Sequence, residues 1–168
     1  MKLLWAPWRM DYILENKEGG CLFCKKSLEK RDQENLILYR GKDGFVMMNK
    51  FPYNNGHLMV VPNRHCLELE ELRENEIREL FHLLKVATGV LKDVLHPHGF
   101  NIGINIGSAG GAGEDHLHVH IVPRWTGDTN FMPLLGEVKV IPQYLKKTYQ
   151  SLHLRFKNLL KKRKSRKG

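Results

Sequence analysis

The chain has 168 residues, 42% of them hydrophobic and 27% charged, which suits one soluble domain with a sizeable core. No apolar run reaches the roughly 18 residues of a membrane span, and the start, Met1-Lys2-Leu3-Leu4-Trp5-Ala6-Pro7-Trp8-Arg9, is too short and interrupted for a signal peptide. Of the net charge of +9, eight Lys or Arg residues with no acid fall between Arg155 and Gly168, leaving +1 for the rest.

Taken in chain order, the first feature is Cys21-Leu22-Phe23-Cys24. With Cys66 it makes three cysteines, too few for a disulfide framework. In a cytoplasmic chain, where this protein is placed, a Cys-x-x-Cys pair is a metal or redox element. Cys66 reads as a packed small hydrophobe. Residues 36–39 and 44–48 read as two strands joined by the turn Gly41-Lys42-Asp43. The loop Phe51-Pro52-Tyr53-Asn54-Asn55-Gly56 leads to a third strand, 57–61, ended by Pro62. From 69 to 94, Leu72, Ile77, Leu80, Phe81, Leu84, Val86 and Leu91 recur at helical spacing, which predicts a long amphipathic helix broken near its start. Residues 100–106 form a fourth strand and 116–122 a fifth. From 142 a second helix runs into the tail, with Leu145, Tyr149, Leu152 and Phe156 on one stripe. There is no internal repeat and no low-complexity linker. Consecutive strands with only two helices predict an antiparallel sheet covered by helices, an α+β fold.

Residues 116–120 read His-Leu-His-Val-His. Polar–apolar alternation is the period of a strand, so His116, His118 and His120 share one face and Leu117, Val119 and Ile121 the other. Successive imidazoles then stand about 6.5–7 Å apart at the Cα. The plainer alternative is a surface strand with incidental histidines, or an accidental metal site. Just before it lies Gly107-Ser108-Ala109-Gly110-Gly111-Ala112-Gly113. Four glycines in seven residues let a backbone approach an anion closely and aim its amides at it. The Gly-Lys-Ser/Thr ending of a Walker loop is missing, and a simple glycine-rich hairpin is the competing reading. The basic tail is a candidate surface for nucleic acid or an acidic partner, though such tails are mostly just solvated, and nucleic acid is not favoured.

These residues resemble the histidine triad (HIT) family. The pattern His-x-His-x-His-x-x, apolar at every x, is met at 116–122, and Gly56-His57-Leu58-Met59-Val60-Val61-Pro62 is similar to the family's second signature. More narrowly, Leu4 to Ile13 and Pro123-Arg124-Trp125-Thr126-Gly127-Asp128-Thr129-Asn130-Phe131-Met132 resemble the prokaryotic diadenosine tetraphosphate phosphorylase-like branch. The resemblance covers about 4–133 and implies a HIT-like five-stranded antiparallel sheet with two helices, joined across a homodimer. It places a HIT domain at 1–150, with core motifs at 21–133. The end of the C-terminal helix and the basic tail follow at 151–168.

The implied activity is cleavage of the phosphoanhydride of a dinucleoside polyphosphate through a covalent nucleotidyl-histidine. His118 would attack the α-phosphorus, His120 would donate to a phosphate oxygen or help the leaving group, and His57 would hydrogen-bond His118 and fix its tautomer. Imidazole suits the task because it is largely neutral, hence nucleophilic, near pH 7. Asn49, Asn105, Gly107, Gly111, Gly113 and Arg124 are the implied nucleotide contacts, with Arg124 equally readable as a solvent-exposed residue. Ala112-Gly113-Glu114-Asp115 departs from the branches that carry an amide or hydroxyl there, since two carboxylates beside a polyphosphate repel it. A zinc site is also implied: Cys21, Cys24, His65 and His116 supply two thiolates and two imidazoles, a closed tetrahedral set with a structural role. Trp5, Trp8 and Trp125 read as core or dimer-interface residues, the first two alternatively as cover for a base. A nucleoside phosphoramidase of the same family and a nucleotide- or nucleic-acid-binding module using the tail are the rival readings.

Overall fold

The computed structural model describes residues 20–128 and 144–165, with side chains described as far as 159. Trp5, Trp8 and the motif segment from 129 onward lie outside the described residues. Helix α1 spans Leu22–Leu28, strand β1 Ile37–Arg40, β2 Gly44–Met48 and β3 Leu58–Pro62. A single 3-10 turn, Leu69–Glu71, precedes α2 at Glu74–Leu95, followed by β4 at Gly99–Ile104, β5 at Val119–Arg124 and α3 at Leu145–Ser165. All pairings are antiparallel, in the order β1-β2-β3-β5-β4. No described helix is long and apolar enough to cross a membrane.

The sheet has two unequal faces. On one, Leu38, Val46, Met48, Leu58, Val60, Val119 and Ile121 pack against Leu80, Leu83, Val90 and Leu91 of α2 and Tyr149, Leu152 and Phe156 of α3. Each fully buried Leu, Val or Phe contributes on the order of 1.5–3 kcal/mol, and this layer holds the larger of the two buried clusters. On the other face Ile37, Phe45, Met47, Met59 and Val61 are covered by Phe23 of α1. Because β2 and β3 are buried on both sides, their sequences read as unbroken apolar runs rather than alternations.

The five-stranded sheet and the two expected helices are present, including the break before α2 and the α3 stripe. Several boundaries shift from the sequence reading, and two of the shifts bear on the site. The fifth strand starts at Val119, so His116 and His118 lie on a bent lead-in rather than on the ladder. The fourth ends at Ile104, leaving Asn105 and Ile106 to the glycine loop. A third helix, α1, adds to the expected two. Leu36 is a further local feature: at φ 58 it takes the left-handed region just before β1.

Candidate active site and metal cluster

The β3–β5 register sets the histidine geometry. Met59 pairs with His120, so His57, two residues along the same face, sits diagonally beside His120. Accordingly His57 Nε2 lies 2.9 Å from His120 Nδ1, with ring centroids 5.1 Å apart. The expected His57–His118 hydrogen bond is therefore corrected: His57 reaches His120, because the register carries His118 four residues further on. What fixes the His118 tautomer is the chain itself. Its Nδ1–H donates to the His116 carbonyl at 2.7 Å, which leaves the Nε2 lone pair for chemistry. His118 and His120 meet edge to face at 4.6 Å.

Burial keeps these rings neutral. Loss of solvent pulls His118 below the usual imidazole value, and burial together with neighbouring His118 takes His120 to about 4. His57 and His118 are buried, 0% and 4% exposed. A neutral imidazole with one committed N–H and one free lone pair is a nucleophile at pH 7. Two aromatic rings enclose the pair, and neither was singled out from sequence for this role. Phe23 lies 5.0 Å from His118, and Tyr53 stacks on His57 at 4.9 Å and 22°. Isolated aromatics in a short helix or a loop carry no periodic signal, so only the fold reveals them.

The other expected contacts are distributed unevenly. Asn49 lies just past β2, where its Oδ1 accepts the Phe51 N–H at 2.9 Å and its own N–H donates to the His57 carbonyl at 3.0 Å. It therefore shapes the loop that leads to His57. Asn105 reaches across the base of the glycine loop toward the Gly111 carbonyl at 3.4 Å. Gly107 and Gly111 both take positive φ, 68° and 81°, and the amides of Gly110, Gly111 and Ala112 donate to carbonyls within the loop. Three amides of the glycine loop are thus engaged within the loop itself. Arg124 stands at the far end of β5, gripping Asp128 through Nε and one terminal nitrogen and Asn101 through the other.

At the opposite end of the lead-in, Cys21, Cys24, His65 and His116 place four donor atoms within 4.8 Å of one another. Cys21 Sγ is 3.1 Å from His116 Nδ1, and Cys24 Sγ lies 3.5 Å from His65 Nδ1 and 3.6 Å from His116 Nδ1. These separations approach the edges, about 3.3–3.8 Å, of a tetrahedron with zinc-length bonds. His116 Nε2–H donates to the Pro62 carbonyl at 3.0 Å, which leaves Nδ1 as the ligand atom, as an oriented metal-binding imidazole requires. Burial and the neighbouring Cys21 push the Cys24 thiol up to about 11; a divalent cation between the donors reverses that by taking thiolates. The loop carrying His65 is anchored through Arg64, whose guanidinium grips the buried Glu76 carboxylate at 2.7 and 2.9 Å and holds it down to about 2. The residues fit zinc.

The HIT-domain family model matches residues 30–127, well over half of the chain. This protein belongs to the histidine triad family. It is similar to the AP-4-A phosphorylase of Mycobacterium tuberculosis, at 44% identity over 90% of this chain and 83% of that relative. Among solved structures, it superposes on a hypothetical histidine triad nucleotide-binding protein from Sulfolobus tokodaii with a TM-score of 0.64 and 27% identity, covering 83% of this chain and 93% of the other. A Zn-bound histidine triad family protein from Mycobacterium smegmatis matches with a TM-score of 0.67 at 22% identity, over 83% and 95% of the two chains, a likeness of fold. Within the family frame, His116, His118 and His120 are the triad, and each ring has a different neighbour.

Proposed function

We propose that this histidine triad protein is a dinucleoside polyphosphate phosphorylase that works through a nucleotidyl-His118 intermediate. One observation carries it: His118 Nε2 holds a lone pair because Nδ1–H is committed to the His116 carbonyl at 2.7 Å. The similarity to a mycobacterial AP-4-A phosphorylase along nearly the whole chain supports the substrate class. In the first half-reaction Nε2 attacks the α-phosphorus of diadenosine tetraphosphate, the P–O bond to the bridging oxygen breaks, and ATP leaves. In the second, inorganic phosphate attacks the adenylyl-His118 phosphorus, the P–N bond breaks, and ADP leaves with the imidazole restored. His120 donates to a phosphate oxygen, and amides of 107–113 face the developing charge. Asn49, Asn105 and Arg124 shape the surrounding surface for ribose and polyphosphate.

Cys21, Cys24, His65 and His116 would hold zinc in a structural role, tying α1 to the loop before β5. The enzyme is read as a cytoplasmic homodimer. The test is product analysis on diadenosine tetraphosphate with and without inorganic phosphate. ADP and ATP formed only with phosphate is the expected result. AMP and ATP released in phosphate-free buffer would make the enzyme a hydrolase, and no turnover of any adenylate would overturn the reading.

A further inference from the structure

The loop entering β3 carries a hydrogen-bond relay that ends on the histidine pair. Tyr53 N–H donates to His57 Nδ1 at 3.1 Å, so that nitrogen holds a lone pair and the His57 proton sits on Nε2. That Nε2–H donates to His120 Nδ1 at 2.9 Å, which places the His120 proton on its own Nε2. A single backbone N–H thereby decides the tautomers of two rings.

The position of that N–H depends on Asn54, a buried polar residue, 9% exposed, whose side-chain amide and carbonyl are engaged. Its Nδ2 donates to the Pro123 carbonyl at 3.0 Å and to Asp128 Oδ2 at 2.9 Å. Its Oδ1 accepts the Asn55 N–H, and its carbonyl accepts the His57 N–H, both at 3.1 Å. Asp128 is gripped in turn by Arg124 and by the Trp125 N–H. From the helical layer, Thr148 Oγ1 donates to Asn55 Oδ1 at 3.0 Å. A fully satisfied buried network of this kind rigidifies the groups it joins.

We propose that Asn54 is a positioning residue for the reaction: it clamps the 53–57 turn to the end of β5, so that Tyr53 N–H holds His57 and His120 in the tautomers that present His120 Nε2–H to phosphate. This rests on the nucleotidyl-transfer reading above. Arg124 and Asp128 belong to the same clamp, which explains why that arginine is turned to Asp128 and Asn101.

Asn54→Asp tests it, because it keeps the side-chain size and the acceptor to Asn55 but deletes the Nδ2 donor and faces the Asp128 carboxylate. With diadenosine tetraphosphate and phosphate, kcat falls about tenfold or more while KM stays within about threefold. Nitrogen NMR of the imidazoles shows His57 and His120 leaving their single tautomers. Adding Asp128→Asn returns a donor across the pair and recovers most of both signals. In a His120→Asn background Asn54→Asp changes kcat by less than about twofold, since the end of the relay is already gone. Should the paired carboxylates unfold the loop, Asn54→Ser, too short to reach Asp128, carries the same expectations. Unchanged tautomers in these variants, or a full further loss of kcat in the His120→Asn background, overturn the proposal. If the unaltered protein turns over no dinucleoside polyphosphate, the functional reading fails alone, and the NMR result still decides the relay.

Discussion

His118 and His120 differ by one hydrogen-bond partner, and that difference separates their chemistry. The His116 carbonyl takes the His118 proton at Nδ1, whereas His57 donates into His120 Nδ1. One ring is left with a lone pair at Nε2 and the other with a proton there. His118→Asn keeps a polar side chain of similar reach but removes the attacking nitrogen. Nucleotide affinity should stay within about threefold while kcat falls by roughly 10⁴ or more, and no labelled adenylate should remain on denatured enzyme. Turnover retained by this variant would remove His118 from the nucleophile's place. The residue types at this site were legible from the alternation at 116–120, but the partners were not. Which histidine His57 touches depends on the cross-strand register of Met59 with His120, a quantity no local spacing encodes.

The elements show the same division between local and non-local information. Helix α2 and the α3 stripe were readable because their apolar periodicity repeats over several turns. Helix α1, only seven residues from Leu22 to Leu28, is too short to show a period or to be stable alone. Its start depends on Cys21, whose sulfur accepts the Cys24 N–H at 3.5 Å as an N-cap. The same two cysteines contribute half of the donor cluster, and Phe23 between them lies against both His116 and His118. The late start of β5 has a related cause: His116 bends toward Cys21, and the ladder begins only after that bend relaxes. Metal removal should therefore be felt at α1 first. Cys21→Ser with Cys24→Ser is expected to abolish a zinc content near one per chain, measured by elemental analysis, and to lower Tm. Hydrogen exchange should quicken over 21–28 while the α2 amides stay protected. Purified, chelator-free protein without zinc would sink the metal reading.

At the scale of the molecule, the sheet is protected on one edge and, among the described residues, bare on the other. Beyond β1, the chain turns through the segment joining α1, where Arg40 binds Asp32 and the carbonyls of Lys26, Ser27 and Glu29. The opposite edge, β4, has no further strand among the described residues. Its sequence, Gly-Phe-Asn-Ile-Gly-Ile, holds no charge, proline or bulge of the kind that keeps exposed edges from pairing. Ile102 is 50% exposed in its middle. An edge of that composition favours antiparallel pairing with a second copy of itself, an isologous contact that closes after two chains and extends the sheet to ten strands. That edge supports the proposed homodimer, in which each chain would contribute its five strands to one continuous sheet. Ile102→Lys puts two ammonium groups near the two-fold axis of such a pairing. Light scattering across a dilution series should show the unaltered protein as a dimer and the variant dissociating at a concentration at least about tenfold higher. Far-UV circular dichroism should be unchanged, because Ile102 is peripheral to the core. A variant that stays dimeric to the same dilution would move the interface away from β4, and a monomeric unaltered protein would leave the edge to be covered by other means.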